Sequence, residues 1–240
     1  FIDYNFQDKK GNLYKEVWPI DFKGNIQSDQ SLKKALKTNE DKNPSFEIIK
    51  SFAEQILESQ GENALKDIII SRMDVDKIIP LIVVDRIIRN DDGPFHWYCD
   101  ESDFCSNHNY YWYEEPSTNK LYLIPWDLDN AFENIAFSKN PVTPIADDFG
   151  QITNNCQPFE FGPWNIKQWS ASCDKLTKGW AYFSEELLNN KINFLNGPFE
   201  ENLINDLVNE WADQIESSIK EESNAHSDAI SFEKWKGSLD

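Results

Sequence analysis

Oxygen-bearing side chains in the middle of this sequence are spaced for chemistry. The stretch "LYLIPWDLDNAF" (residues 121–132) ends an alternating apolar run with Asp127 and Asp129, two positions apart. In extended backbone, residues i and i+2 point to the same side, so the two carboxylates are aimed together. Upstream, Asn90-Asp91-Asp92 follows an apolar segment, and Asn109 opens an aromatic run. Carboxylates and amide oxygens are hard ligands suited to Mg²⁺ or Mn²⁺. A carboxylate left off the metal can take a proton from a hydroxyl. Together these groups suit phosphoryl transfer. The structural alternatives are a Ca²⁺ site or an Asx turn at 127–129, and a cap or turn at Asp91-Asp92.

Such groups need a frame. "GNLYKEV" alternates after a Gly-Asn turn and marks residues 1–27 as a short strand region. Helices are expected over 27–38 and 45–59, the second with Phe46, Ile49, Phe52, Ala53 and Ile56 on one face. Residues 74–90 read as a buried helix, with Pro80 one turn in, where a missing N–H costs little. Asp85 and Arg86 within it are expected to form a structural pair. Residues 109–113 and "KLYLI" read as a hairpin across "EPSTN". Residues 133–180 look irregular. Residues 184–222 look helical, with a Gly-Pro break. The stripe Leu203, Ile204, Leu207, Val208, Trp211 and Ile215 is expected to be core. This order is α+β with a mostly helical C-terminal part.

The 240 residues include 42 acidic and 23 basic side chains, a formal net charge of −19. That excludes nucleic acid as a natural partner, which needs a basic surface. No apolar run is long enough to span a membrane. Four cysteines allow three pairings. Two local bridges, Cys99–Cys105 and Cys156–Cys173, are the simplest, and imply an oxidising compartment; free buried thiols are the alternative. No CxxC occurs, and the histidines complete no zinc pattern. His96 and His108 are expected to be hydrogen-bonded loop residues, and Trp97, Tyr98, Tyr110 and Trp112 packing residues. The start, "FIDYNFQDKK", has neither an initiator Met nor the features of a signal peptide, so a processed product or a fragment is expected.

A helix, a loop with an Asp, an Asn, a hairpin and a final Asp follow the order of the protein-kinase catalytic core. At these residues the chain also resembles the CotH kinase family, atypical secreted or surface protein kinases named for spore coat protein H. The resemblance rests on Asn90-Asp91-Asp92, Asn109-Tyr110 and Pro125-Trp126-Asp127-Leu128-Asp129, with "GNLYK" (residues 11–15) ahead of the core. It implies an α+β, atypical kinase-like fold, with a mostly helical C-terminal lobe, a catalytic hairpin and only part of an N-terminal lobe. Residues 1–27 would be the remnant of that lobe and 28–240 the C-terminal lobe, with a catalytic core at 74–132 and a helical tail at 184–240. Asp92 would be the catalytic carboxylate, with Asp91 as its alternative. Asn109 and Asp127 would be Mg²⁺ or Mn²⁺ ligands, with Asn107 as the alternative to Asn109. Asp129 would be a further ligand or a supporting acceptor, and Lys15 an ATP phosphate contact. The usual kinase spacing of five from Asp to Asn is here seventeen, and the insert holds Cys99 and Cys105. A bridge between them would cinch it into a side loop. The implied activity is transfer of the ATP γ-phosphate to Ser or Thr of a secreted or cell-surface protein. The alternatives are an inactive surface adhesion or structural module of the same fold and a metal-dependent hydrolase.

Overall fold

Alternation and aromatic content build the sheet that carries the site. The structure is a computed structural model that describes residues 2–132, 149–162 and 165–239. Its strands are β1 (Leu13–Lys15), β2 (Trp97–Cys99), β3 (Cys105–Ser106), β4 (Tyr110–Glu115), β5 (Lys120–Pro125), β6 (Phe159–Phe161) and β7 (Ile166–Trp169). The helices are α1 (Ile2–Asn5), α2 (Asp29–Ala35), α3 (Glu47–Glu58), α4 (Gly61–Arg72), α5 (Val75–Ile87), α6 (Lys175–Ala181), α7 (Ser184–Leu195), α8 (Glu201–Ala225) and α9 (Phe232–Lys236). The expected α+β class holds. The chain divides into one unit at Phe1–Asn190 and another at Lys191–Asp240.

In the first unit β4 and β5 form the expected hairpin, with Tyr110 opposite Pro125 and Glu115 opposite Lys120. β1 adds to its other edge in the order β1-β4-β5, with Lys15 opposite Tyr111. Tyr14, Trp112 and Leu121 are fully buried there, so alternation fixes which face meets the core. Gly11 is required at the approach to β1, because a Cβ would lie 1.8 Å from the Glu114 carbonyl oxygen.

α3 buries Ile49, Phe52, Ala53 and Ile56, the face expected from their spacing. α5 buries Ile78, Ile79, Ile82 and Val83 and carries Pro80 in its first turns. Between them lies α4, which the sequence reading passed over. Only Leu65, Ile69 and Arg72 of it are buried, so its pattern is faint. Arg72 is held by hydrogen bonds to the Asn119 and Ile48 carbonyl oxygens and to Gln55 Oε1.

Two expectations need correction. The span 133–180 is not irregular throughout. Residues 133–148 lie outside the described residues, but β6, β7 and α6 follow. They complete a second antiparallel sheet in the order β3-β2-β7-β6. Its central β2–β7 pairing joins residues about 70 apart, such as Trp97 with Trp169, which local pattern cannot show. The insert after Asp92 is therefore more than a side loop, since β2 is an inner strand. Both local disulfides are present, Cys99–Cys105 across β2 and β3, and Cys156–Cys173.

The second correction concerns α8, in the second unit. Its stripe is not core: Leu203 is 43%, Trp211 56% and Ile215 46% exposed. That unit has only about 50 residues, and a unit so small buries little of its own apolar surface. Among the described residues, no helix is long and apolar enough to cross a membrane.

Candidate active site

The site is assembled at one end of the β1-β4-β5 sheet. Each strand meets it with a residue in left-handed backbone: Glu16 after β1 (φ 51°), Asn109 before β4 (φ 57°) and Asp127 beyond β5 (φ 54°). Asn and Asp tolerate this region better than most residues, because the short polar side chain bonds locally. The Trp126 N–H donates to the Asn109 carbonyl oxygen at 2.9 Å, so the hairpin's ladder runs to the site's edge.

Asn109 Nδ2 donates to Asp92 Oδ2 at 2.9 Å. Asn130 Nδ2 reaches the same oxygen at 3.5 Å. Asp92 is half-buried, and burial pushes its carboxyl above the ordinary aspartate value. The charge of His108 and the two amide hydrogen bonds pull it back, and the negative charge of Asp127 pushes it up again. Asp92 thus meets Asn109 directly, and the Asp127 charge acts on it more weakly.

The alternatives left open by the sequence sit in different surroundings. Asp91 is 2% exposed, and its carbonyl oxygen accepts the Tyr98 hydroxyl at 3.0 Å. Asn107 is 3% exposed and donates to the Pro94 carbonyl oxygen at 2.7 Å. Both hold the loop in place, whereas Asp92 and Asn109 meet each other. Asp129 lies with Asp127 in the exposed stretch 126–129 after β5. Lys15 ends β1 with its Nζ 3.8 Å from Glu16 Oε1. Glu16 Oε1 in turn accepts the Asn109 N–H at 3.3 Å. Glu16 and Asn130 are neighbours that the sequence reading missed. Glu16 follows the "GNLYK" motif directly, and Asn130 follows Asp129, so proximity in sequence was the available signal.

His96 is buried and stacked on Tyr98, ring centroids 4.5 Å apart, and burial pushes its imidazole down to about 4. A neutral imidazole packed in this way is a core residue. Trp97, Tyr110 and Trp112 are core as well, each 1% exposed or less.

A family model described as "CotH kinase protein" matches residues 1–240. The chain belongs to the CotH kinase family. No curated protein matches it. Kinases of this kind use ATP and a divalent cation in general, so the donor set can be tested against that demand. Among the described residues, no group of three or more His, Cys, Asp or Glu could hold a metal ion. The residues expected from the sequence as ligands, Asn109, Asp127 and Asp129, carry hard oxygens only. That set leaves coordination positions for phosphate oxygens, and so fits Mg²⁺ or Mn²⁺ bound together with a nucleotide better than a bare ion.

Proposed function

We propose that this chain is a CotH-type protein kinase domain that moves the γ-phosphate of ATP to a Ser or Thr hydroxyl of a secreted or surface protein. One observation carries the reading: the Asn109–Asp92 hydrogen bond spans 17 residues of sequence and joins the loop after α5 to the mouth of the hairpin whose other strand leads to Asp127. Helix, loop carboxylate, amide, hairpin and second carboxylate follow the kinase order, and the bond brings the two halves of that order into contact. In this reading residues 1–27 are the end of an N-terminal lobe and 28–240 the C-terminal lobe, with its catalytic core at 74–132 and a helical tail at 184–240.

Asp92 is the carboxylate that takes the acceptor proton. The acceptor oxygen bonds to the γ-phosphorus as the bond from phosphorus to the bridging oxygen breaks; ADP leaves with that electron pair. Burial keeps Asp92 basic enough for the task, and Asn109 fixes its orientation. Asn109 and Asp127, supported by Asp129, would hold Mg²⁺ or Mn²⁺. The ion supplies charge neutralisation on the phosphates. Lys15, at the end of β1, would contact the phosphates. The two disulfides support an oxidising, extracellular setting.

The test uses the full chain. Calorimetric titration with Mn²⁺-ATP should show binding that Asp127→Ala removes. Labelled phosphate should appear on protein and vanish with Asp92→Ala. A folded chain that binds no nucleotide would refute the kinase reading in favour of an inactive surface module. Phosphate released only to water would make it a hydrolase.

A further inference from the structure

The loop that carries Asp92 is fastened from beneath by two buried polar side chains. Asp85, in the last turn of α5, is 3% exposed, and Asn90 is 1% exposed. Asn90 Nδ2 donates to Asp85 Oδ2 at 3.0 Å, and the Asn90 N–H donates to the Asp85 carbonyl oxygen at 3.1 Å. Arg89 turns the chain between them in left-handed backbone, φ 52°. Gly93 then closes over the pair: a Cβ there would lie 2.3 Å from Asn90 Nδ2 and 2.7 Å from Asp85 Oδ2. Asp92 thus sits between two residues, Asn90 and Gly93, that are both seated on Asp85. The rest of the loop is tied at Ile88, whose carbonyl oxygen accepts the Phe132 N–H at 2.6 Å.

The expected structural pair of Asp85 with Arg86 is therefore incomplete as a description. The charge of Arg86 acts on the Asp85 carboxyl, and the carboxylate also accepts from Asn90. An apolar residue at position 85 would cap the core at less cost, since a buried carboxyl loses its hydration. A group kept here in spite of that cost is suited to orienting the loop.

We propose that Asp85 and Asn90 are positioning residues of the site: their hydrogen bond, closed by Gly93, holds the loop so that the Asp92 carboxylate meets Asn109. The proposal rests on the phosphoryl-transfer reading for its consequence in rate, but not for its geometry. Asn90→Ala removes the donor, and Asp85→Ala the acceptor. Asp85→Asn keeps an acceptor oxygen of the same size and reach.

Two measurements on the full chain decide it. The first is exchange of the Asn109 side-chain amide protons, read by ¹⁵N NMR, which needs no turnover. The second is kcat and KM for Mn²⁺-ATP in labelled-phosphate transfer. Asn90→Ala and Asp85→Ala should speed the exchange about tenfold and lower kcat on the order of 10²-fold, because displacement of a reacting group by about 1 Å costs that much. KM for ATP should change less than about twofold, since nucleotide binding is untouched. Asp85→Asn should stay within about threefold of the parent in both readouts. The proposal is overturned if folded Asn90→Ala exchanges and turns over like the parent, or if Asp85→Asn fails as badly as Asp85→Ala. Should the truncations not fold, Gly93→Ala decides alone: it leaves both side chains in place but wedges them apart, and unchanged exchange and kcat there overturn the proposal. If the parent chain transfers no phosphate, the reaction reading falls while the exchange measurement still decides the positioning role.

Discussion

Asn109 Nδ2 lies 2.9 Å from Asp92 Oδ2 and donates a hydrogen bond to it. This bond makes one site out of two segments that the disulfide-closed β2–β3 insert holds apart in sequence. It also sets the chemistry of Asp92, since an amide donor favours the ionised carboxylate whereas burial opposes it.

The pH dependence of turnover follows from that balance. In the proposed reaction Asp92 must be ionised to accept a proton, so kcat should fall as pH drops through its pKa. Burial places that acid limb above 3.8, the ordinary aspartate value. Asn109→Ala removes a hydrogen bond that lowers the pKa, so the limb should move further up while kcat falls. A pH profile of kcat for both proteins checks this. A limb at or below the ordinary value, or one that Asn109→Ala leaves in place, would count against Asp92 as the base.

Stability should respond to pH through buried carboxyls that do not themselves react. Burial pushes Asp85 and Glu114 up to about 7 and Asp174 up to about 6. These carboxyls bind protons more tightly folded than unfolded, so their contribution is present at low pH and is lost as pH rises through about 7. His96, pushed down to about 4, acts in the opposite sense, but its contribution is level once pH exceeds 6.5. The folded state should therefore lose on the order of 1 kcal/mol between about pH 6.5 and 7.5. Glu114→Gln, which keeps an acceptor for Asn12, should flatten the loss. Urea unfolding at both pH values is the measurement, and stability that rises over this window would contradict it.

What could be read from the sequence was local. The β4–β5 hairpin announces itself through aromatic alternation around a turn, and the α3 face through its period of 3.6. Asp92, Asn109 and Asp127 were legible as types at spacings. The contact of Asp92 with Asn109 was not, because it depends on where the 16 residues between them go. That insert enters a sheet through Trp97 and Trp169, and such long-range pairing leaves no local trace. α4 was missed because only three of its residues are buried. The α8 stripe misled because periodicity shows an apolar face but not what covers it. Glu16 escaped notice because its bond to Asn109 links residues 93 apart.

The two disulfides should differ in what they contribute. Cys156–Cys173 closes a separation of 17 residues and Cys99–Cys105 one of 6. Loop-closure entropy predicts about 3 kcal/mol for the longer and about 2 kcal/mol for the shorter. Replacing each pair by serine and comparing urea unfolding tests the order. A reversed order would mean that the Cys99–Cys105 bridge holds β2 in place in the folded state, beyond its effect on the unfolded chain.

The two carboxylates beyond β5 should prove unequal. Asp127 is fixed by what surrounds it: the neighbouring Trp126 N–H is tied to Asn109 at 2.9 Å, and its own charge is felt at Asp92. Both carboxylates are exposed, and Asp129 lies two residues further from the Trp126–Asn109 tie. Asp127 also occupies left-handed backbone, which Asn tolerates and Ala tolerates poorly. Three variants separate ligand chemistry from backbone strain. Asp127→Asn keeps the conformation and one oxygen but removes the charge, and should weaken Mn²⁺-ATP binding about tenfold. Asp127→Ala should weaken it towards about 100-fold, within the range for lost metal-site partners. Asp129→Ala should change it less than about threefold. Trp126, 53% exposed and edge-on to Tyr111 at 5.8 Å, gives an intrinsic fluorescence signal beside the site for the titrations. Equal losses for Asp127→Ala and Asp129→Ala would show that both carboxylates share the ion, and the proposed primacy of Asp127 would have to be abandoned.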